Sequence, residues 1–131
     1  MGLEMIAKTA IVEGENEFGE DSLVGHFCKV EGVRLGKNSK LFGYANVYGC
    51  EIGDDCKIGS YVEIQAGAKI GDRVTISTHS FICDMVTIED DAWLGHGIVT
   101  INDLYPPSKK RTGSSSAKTG SSSGTTKTGT I

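Results

Sequence analysis

From Ile52 onward an aliphatic side chain returns every six residues: Ile52, Ile58, Ile64, Ile70, Ile76, Ile82, Ile88 and Leu94. Eight consecutive returns at one spacing constrain the fold more than any other feature of the chain. The same register reaches back through Ile6, Val12, Phe18, Val24, Val30, Leu35, Leu41 and Val47. Four positions after each aliphatic residue of the regular run stands Cys56, Val62, Ala68, Val74, Ser80, Val86, Ala92 or Ile98, mostly small or β-branched. A period of six matches neither an α-helix nor a plain alternating strand. It matches a short strand followed by a corner, with the aliphatic residue and the small residue both facing inward. Gly, Asp or Asn between them accepts the unusual corner dihedrals. Three such sides close one coil of 18 residues. Coils stacked as parallel strands about 4.8 Å apart then make a triangular β-solenoid, in which each coil buries its aliphatics against its neighbours.

Two shortenings support this reading. Val30 to Leu35 and Val47 to Ile52 each span five positions, in the related pieces VEGVR and VYGCE. Counted by sides, both fall on the same side of adjacent coils, which predicts a shared tight turn.

The rhythm sets the domain organisation. Residues 1–107 read as one repeat domain, with an excursion at 100–107 where TINDLYPP breaks the hexad and Asn-Asp and Pro-Pro mark a loop. Residues 108–131 read as a low-complexity Gly/Ser/Thr/Lys tail with a repeated KTGSSS and no aliphatic every six positions. Nothing in that tail suggests a cap for the last coil, so its strand edges are expected to be open. The charge divides at the same place. Residues 1–107 hold all 17 acidic residues against eight Lys/Arg, a net of −9, and the tail carries five Lys/Arg and no acid. An acidic body argues against nucleic acid as a partner. No apolar run approaches the roughly 20 residues of a membrane span, and the N-terminal MGLEMIAKTAIVEGE has neither the apolar core nor the cleavage site of a signal peptide. Met1-Gly2 opens like a myristoylation signal, but Ile6 stands where Ser or Thr is expected. Cys28, Cys50, Cys56 and Cys83 show no CxxC pair and no zinc-finger spacing, so they are expected to be thiols in a reducing, cytoplasmic setting.

The register also orients the histidines. In TISTHSFIC, Thr75 to Cys83, His79 is the fourth residue of its hexad; His96 is the third of the hexad one coil above, and His26 the third of the hexad at Val24. All three fall on one face, and His79 and His96 lie on adjacent coils near the same corner. Tyr44 and Tyr61 share the column of His79, while Gly43, Ser60 and Thr78 share that of His96. Histidine is the side chain best suited to proton transfer near neutral pH, so His79 is the candidate catalytic residue and His96 and Tyr61 are candidates for substrate binding. Ser80 is expected to point inward and takes no site role. The loop that follows is expected to offer Asn102 and Asp103, either to this site or merely as the turn that ends the repeat.

The run from Leu41 to Pro106, and above all EIQAGAKIG, STHSFICDMVTIEDD, LGHG and NDLYP, resembles the hexapeptide-repeat acyltransferases, nearest the nucleotide-amino-sugar N-acetyltransferases. The resemblance implies an all-β, left-handed parallel β-helix, a homotrimer, and transfer of an acetyl group from acetyl-CoA to the amine of a nucleotide-linked sugar in a cleft between subunits. It also implies a family His or Asn at the place of His79, a sugar-pocket loop at Asn102 and Asp103, and no metal. Members of that family follow this loop with further coils that line the coenzyme A channel; here Ser108 onward is the low-complexity tail. Two other readings stand beside it. One is a non-catalytic or truncated solenoid acting as a scaffold. The other is a zinc enzyme resembling the γ-class carbonic anhydrases, which bind zinc through three histidines, two of them five residues apart; position 101, five after His96, is Ile101.

Overall fold

The computed structural model describes residues 5–103, 105, 108 and 131. Sixteen strands of two or three residues follow one another, numbered β1 to β16 in chain order, and each pairs in parallel with the strand one coil away. The first face stacks β1 (Met5–Ile6), β4 (Leu23–Val24), β7 (Lys40–Leu41), β10 (Lys57–Ile58), β13 (Thr75–Ile76) and β16 (Trp93–Leu94). The second stacks β2 (Ile11–Glu13), β5 (Lys29–Glu31), β8 (Asn46–Tyr48), β11 (Glu63–Ile64) and β14 (Phe81–Ile82). The third stacks β3 (Glu17–Phe18), β6 (Arg34–Leu35), β9 (Glu51–Ile52), β12 (Lys69–Ile70) and β15 (Thr87–Ile88). The hexad register and the pairing register coincide: Ile58 pairs with Leu41 and Ile76, Ile64 with Val47 and Ile82, and Ile70 with Ile52 and Ile88. These aliphatics form the buried core, with Cys56, Val62, Ala68, Val74 and Val86 filling the inner corners. No helix among the described residues is long and apolar enough to cross a membrane.

The two shortened sides both fall at the corner between the second and third faces, where Gly32 and Gly49 adopt φ values of +63° and +60°; Gly14 and Gly67 take the same left-handed conformation at this corner on the six-residue sides of other coils, at +73° and +79°. A different corner chemistry operates between the third and first faces. The Lys37 backbone N–H donates to Asp54 Oδ1 at 2.9 Å, that of Asp54 to Asp72 Oδ1 at 2.8 Å, and that of Asp72 to Asp90 Oδ1 at 2.7 Å. Each aspartate thus braces the coil beneath it. The adjacent glycines make room for the brace: a Cβ on Gly53 would collide with Asp72 Oδ1 and lie 2.7 Å from the Gly71 carbonyl oxygen.

Three of the four cysteines are buried free thiols and Cys83 is half-buried. Loss of hydration pushes all four upward, Cys50 to about 12, which keeps that thiol protonated and unreactive.

The upper end keeps the solenoid register further than the hexad pattern implies. Thr100 lies inward in the column of Ile82; its hydroxyl donates to the Phe81 carbonyl and accepts from the Cys83 backbone N–H. A threonine that satisfies two backbone groups occupies an aliphatic position, so the sequence pattern fails one residue type before the fold does. Ile131 lies on the edge of β15, its N–H donating to the Thr87 carbonyl and its carbonyl accepting from the Glu89 N–H, both at 2.6 Å. The last strand of the third face, expected to be open, is therefore paired at that point. The residues between 108 and 131, the bulk of the low-complexity tail, lie outside the described residues, as do Pro106 and Pro107.

Candidate functional site

The corner between the first and second faces departs from the expected Gly, Asp or Asn. At its left-handed position stand Phe27, Tyr44, Tyr61 and His79, with φ between +60° and +67°. A bulky residue there is an outlier that costs about 1–2 kcal/mol. What offsets it is stacking. Phe27 lies on Tyr44 with ring centroids 5.2 Å apart, Tyr44 on Tyr61 at 5.0 Å, and Tyr61 on His79 at 5.0 Å with the planes 16° apart. Each such aromatic contact contributes about 0.5–1.5 kcal/mol beyond burial. The backbone locks the rungs as well: the Tyr44 N–H donates to the His26 carbonyl, and the His79 N–H to the Ser60 carbonyl.

His79 is the top rung. The next residue up the column is Gly97, also left-handed at +67°, and a Cβ built on it meets no atom within 4 Å. Since four side chains tolerate this dihedral directly beneath it, the backbone alone does not demand glycine at 97. The effect of the glycine is spatial: it leaves the upper face of the His79 ring uncovered by its own chain. The imidazole is therefore supported from below and open to solvent above and at its edge.

The hydroxyls around His79 now have separate explanations. Thr78 Oγ1 shares a hydrogen bond with His96 Nδ1 at 3.2 Å. Ser80 points inward, as expected, donating to the Gly95 carbonyl at 3.2 Å and accepting from the Ile98 N–H at 3.1 Å. Ser77 faces a groove of about 300 Å³ that it lines with Phe42, Gly59, Ile76, Thr78 and His96. Thr78 thus fixes His96 at the rim of a groove beside the His79 corner. Low in the solenoid, on its second coil and four coils from His96, His26 Nδ1 bonds Thr9 Oγ1 at 3.0 Å.

Of the residues expected to form the site, His79, His96 and Tyr61 are brought to one corner. Asn102 and Asp103 are not. Asn102 sits in register above Asp84, donating from Nδ2 to the Asp84 carbonyl oxygen and to its Oδ1, and Asp103 Oδ1 accepts from the Tyr105 N–H at 2.9 Å. That is the corner between the second and third faces, a full solenoid side from His79 within one chain. The Asn102 contacts to Asp84 hold this part of the segment to the solenoid. Nor do His26, His79 and His96 converge; among the described residues no three His, Cys, Asp or Glu side chains are grouped to hold a metal ion. Phe27 and Gly97, the bottom and the break of the ring column, were missed by the sequence reading, although counting one more coil in each direction from Tyr44 and His79 reaches them.

Comparison with known proteins adds to this geometry. The family model described as bacterial transferase hexapeptide (six repeats) matches residues 49–84. No curated protein sequence matches the chain. Among solved structures, a histidine-to-asparagine mutant of perosamine N-acetyltransferase from Caulobacter crescentus, in complex with CoA and GDP-perosamine, superposes with a TM-score of 0.73 at 24% identity, covering 79% of this chain and 50% of that one. The acetyltransferase domain of PglB from Neisseria gonorrhoeae superposes with a TM-score of 0.51 at 16% identity, covering 76% of this chain and 49% of that one; the same domain is also known in complex with acetyl coenzyme A. The chain spans about half the length of these structures, and at such identities the likeness is one of fold. The family match over residues 49–84, the strand register and the superposed structures agree on one architecture, a parallel β-helix built on a hexapeptide repeat.

Proposed function

We propose that the chain is an acetyl-CoA-dependent N-acetyltransferase acting on the amine of a nucleotide-linked sugar. The observation that carries this reading is His79: an imidazole held at a solvent-open corner, stacked on Tyr61 and left clear above by Gly97, in a solenoid whose fold is shared with sugar N-acetyltransferases. In the reaction the sugar amine attacks the thioester carbonyl, a C–N bond forms, and the C–S bond breaks to release coenzyme A. His79 takes the proton that the amine must lose and returns it to the departing thiolate. The developing oxyanion is met by a backbone N–H. The groove beside the corner, with His96 on its rim, has room for the acyl end of the donor.

The placement of Asn102 and Asp103 bears on assembly. Their corner and the His79 corner are separated by a whole side of one triangular prism, so one chain does not bring them together. Neighbouring prisms in a homotrimer set such corners against each other, and we place the sugar pocket there, between His79 and His96 of one copy and Asn102 and Asp103 of the next.

Incubating the purified chain with acetyl-CoA and a panel of UDP- and dTDP-linked amino sugars, with free thiol as the readout, is expected to show release of coenzyme A that depends on one of the sugars. Release no faster than thioester hydrolysis with every sugar would defeat the proposal.

A further inference from the structure

The ring column does more than decorate the corner. Its rings spend their faces on one another: each face of Tyr44 and Tyr61 is covered by the ring above or below. The column therefore offers no flat platform to a ligand, and the upper face of His79 is the one ring face at its top left without a ring partner. What the column does supply is a fixed plane. An imidazole on an exposed corner ordinarily turns freely about its χ2 torsion, which is broad for histidine. Here the ring lies 16° from parallel with Tyr61, and Tyr61 is 8° from parallel with Tyr44. Both tyrosines are about half-exposed, at 54% and 50%, so burial does not account for their order; the stack and the left-handed backbone do.

We infer that Tyr61 is a positioning residue that fixes the plane of the His79 imidazole, and that its ring, not its hydroxyl, carries the effect. No hydrogen bond from the Tyr61 hydroxyl to His79 joins the pair, whereas face-to-face contact does. With the plane set, the nitrogen edges of His79 point outward from the corner, where an incoming amine meets a lone pair in the ring plane. This assignment rests on His79 being the group that meets the amine. It revises the expectation that Tyr61 contacts substrate itself.

Three variants of the full chain separate this role from a contribution to folding. Tyr61→Phe keeps the ring and removes the hydroxyl. Tyr61→Ala removes the ring beneath His79. Tyr44→Ala removes the next rung, with similar exposure and the same left-handed backbone, but no contact with His79. Misplacing a catalytic group by about 1 Å costs up to about 100-fold in rate. Tyr61→Ala is therefore expected to lower kcat about 10- to 100-fold with KM changed less than about threefold, while Tyr61→Phe and Tyr44→Ala stay within about threefold of the parent kcat. The second readout needs no turnover. Stacking on a phenol ring shifts the carbon-bound imidazole protons upfield, so the NMR signals of His79 should move downfield in Tyr61→Ala and hold their place in Tyr61→Phe. Equal kcat losses in Tyr61→Ala and Tyr44→Ala, a Tyr61→Phe variant as impaired as Tyr61→Ala, or imidazole signals that ignore the loss of the ring would each overturn the assignment. Absence of transfer by the parent protein would instead count against the proposed function, and the NMR result alone would then decide whether Tyr61 orders His79.

Discussion

Replacing His79 by asparagine is expected to lower kcat for acetyl transfer by about 10²- to 10⁴-fold, the usual contribution of a positioned general base. Asparagine is chosen because the position is left-handed, with φ +63°, a conformation that asparagine tolerates better than other residues bearing a Cβ. His79→Ala removes the same nitrogen but adds a structural penalty, the loss of the Tyr61 contact worth about 0.5–1.5 kcal/mol. The two variants should therefore lose activity alike and differ in stability, with His79→Ala the less stable. Neither substitution touches the groove lined by Phe42, Gly59 and His96, so KM for acetyl-CoA should stay within about threefold of the parent value. Steady-state kinetics over both substrates check this. A His79→Asn enzyme with undiminished kcat would remove the base from the mechanism.

The second large effect concerns the core. Ile64 is fully buried on the fourth coil, paired with Val47 below and Ile82 above. Truncation to alanine leaves a cavity facing two neighbouring coils and is expected to cost about 3–5 kcal/mol, the upper part of the range for such changes. Leu94, in β16, is nearly as buried but has a paired strand only below it, through Ile76. In a structure held together by nearest-neighbour interfaces, the end position contributes one interface where the middle contributes two. Leu94→Ala should accordingly cost about 2 kcal/mol, near the lower limit. Urea unfolding at fixed protein concentration, so that any association enters both variants equally, gives the comparison. Equal losses at the two positions would mean that the solenoid unfolds as a single unit insensitive to coil position.

The fold was legible because one physical rule, an inward aliphatic at every sixth residue, repeats without a break from Ile52 to Leu94 and appears unaltered in the strand register. The two five-residue steps were legible for the same reason, since the inward aliphatic register resumes at Leu35 and at Ile52 directly after them. Where the pattern misled, a polar residue had taken over an apolar position: Thr100 replaces an aliphatic by bonding two backbone groups, so the hexad seemed to end one side early. The site was legible in part. Counting coils placed His79, Tyr61 and Tyr44 in one column. It did not show that these rings stack, because face-to-face packing depends on the left-handed corner, and that corner was expected to hold Gly, Asp or Asn. The position of Asn102 was not legible either; its contacts to Asp84 reach across 18 residues of sequence, and only the closed coil brings them together.

The account stands or falls on the donor. Calorimetric titration of the purified full chain with acetyl-CoA, repeated with His79→Asn, tests it most directly. The predicted result is saturable binding of comparable affinity by both proteins, since His79 is assigned to the acceptor amine and not to the donor. A correctly folded protein that takes up no acetyl-CoA would contradict the acetyltransferase reading and leave a solenoid that shares the fold of these enzymes without their chemistry.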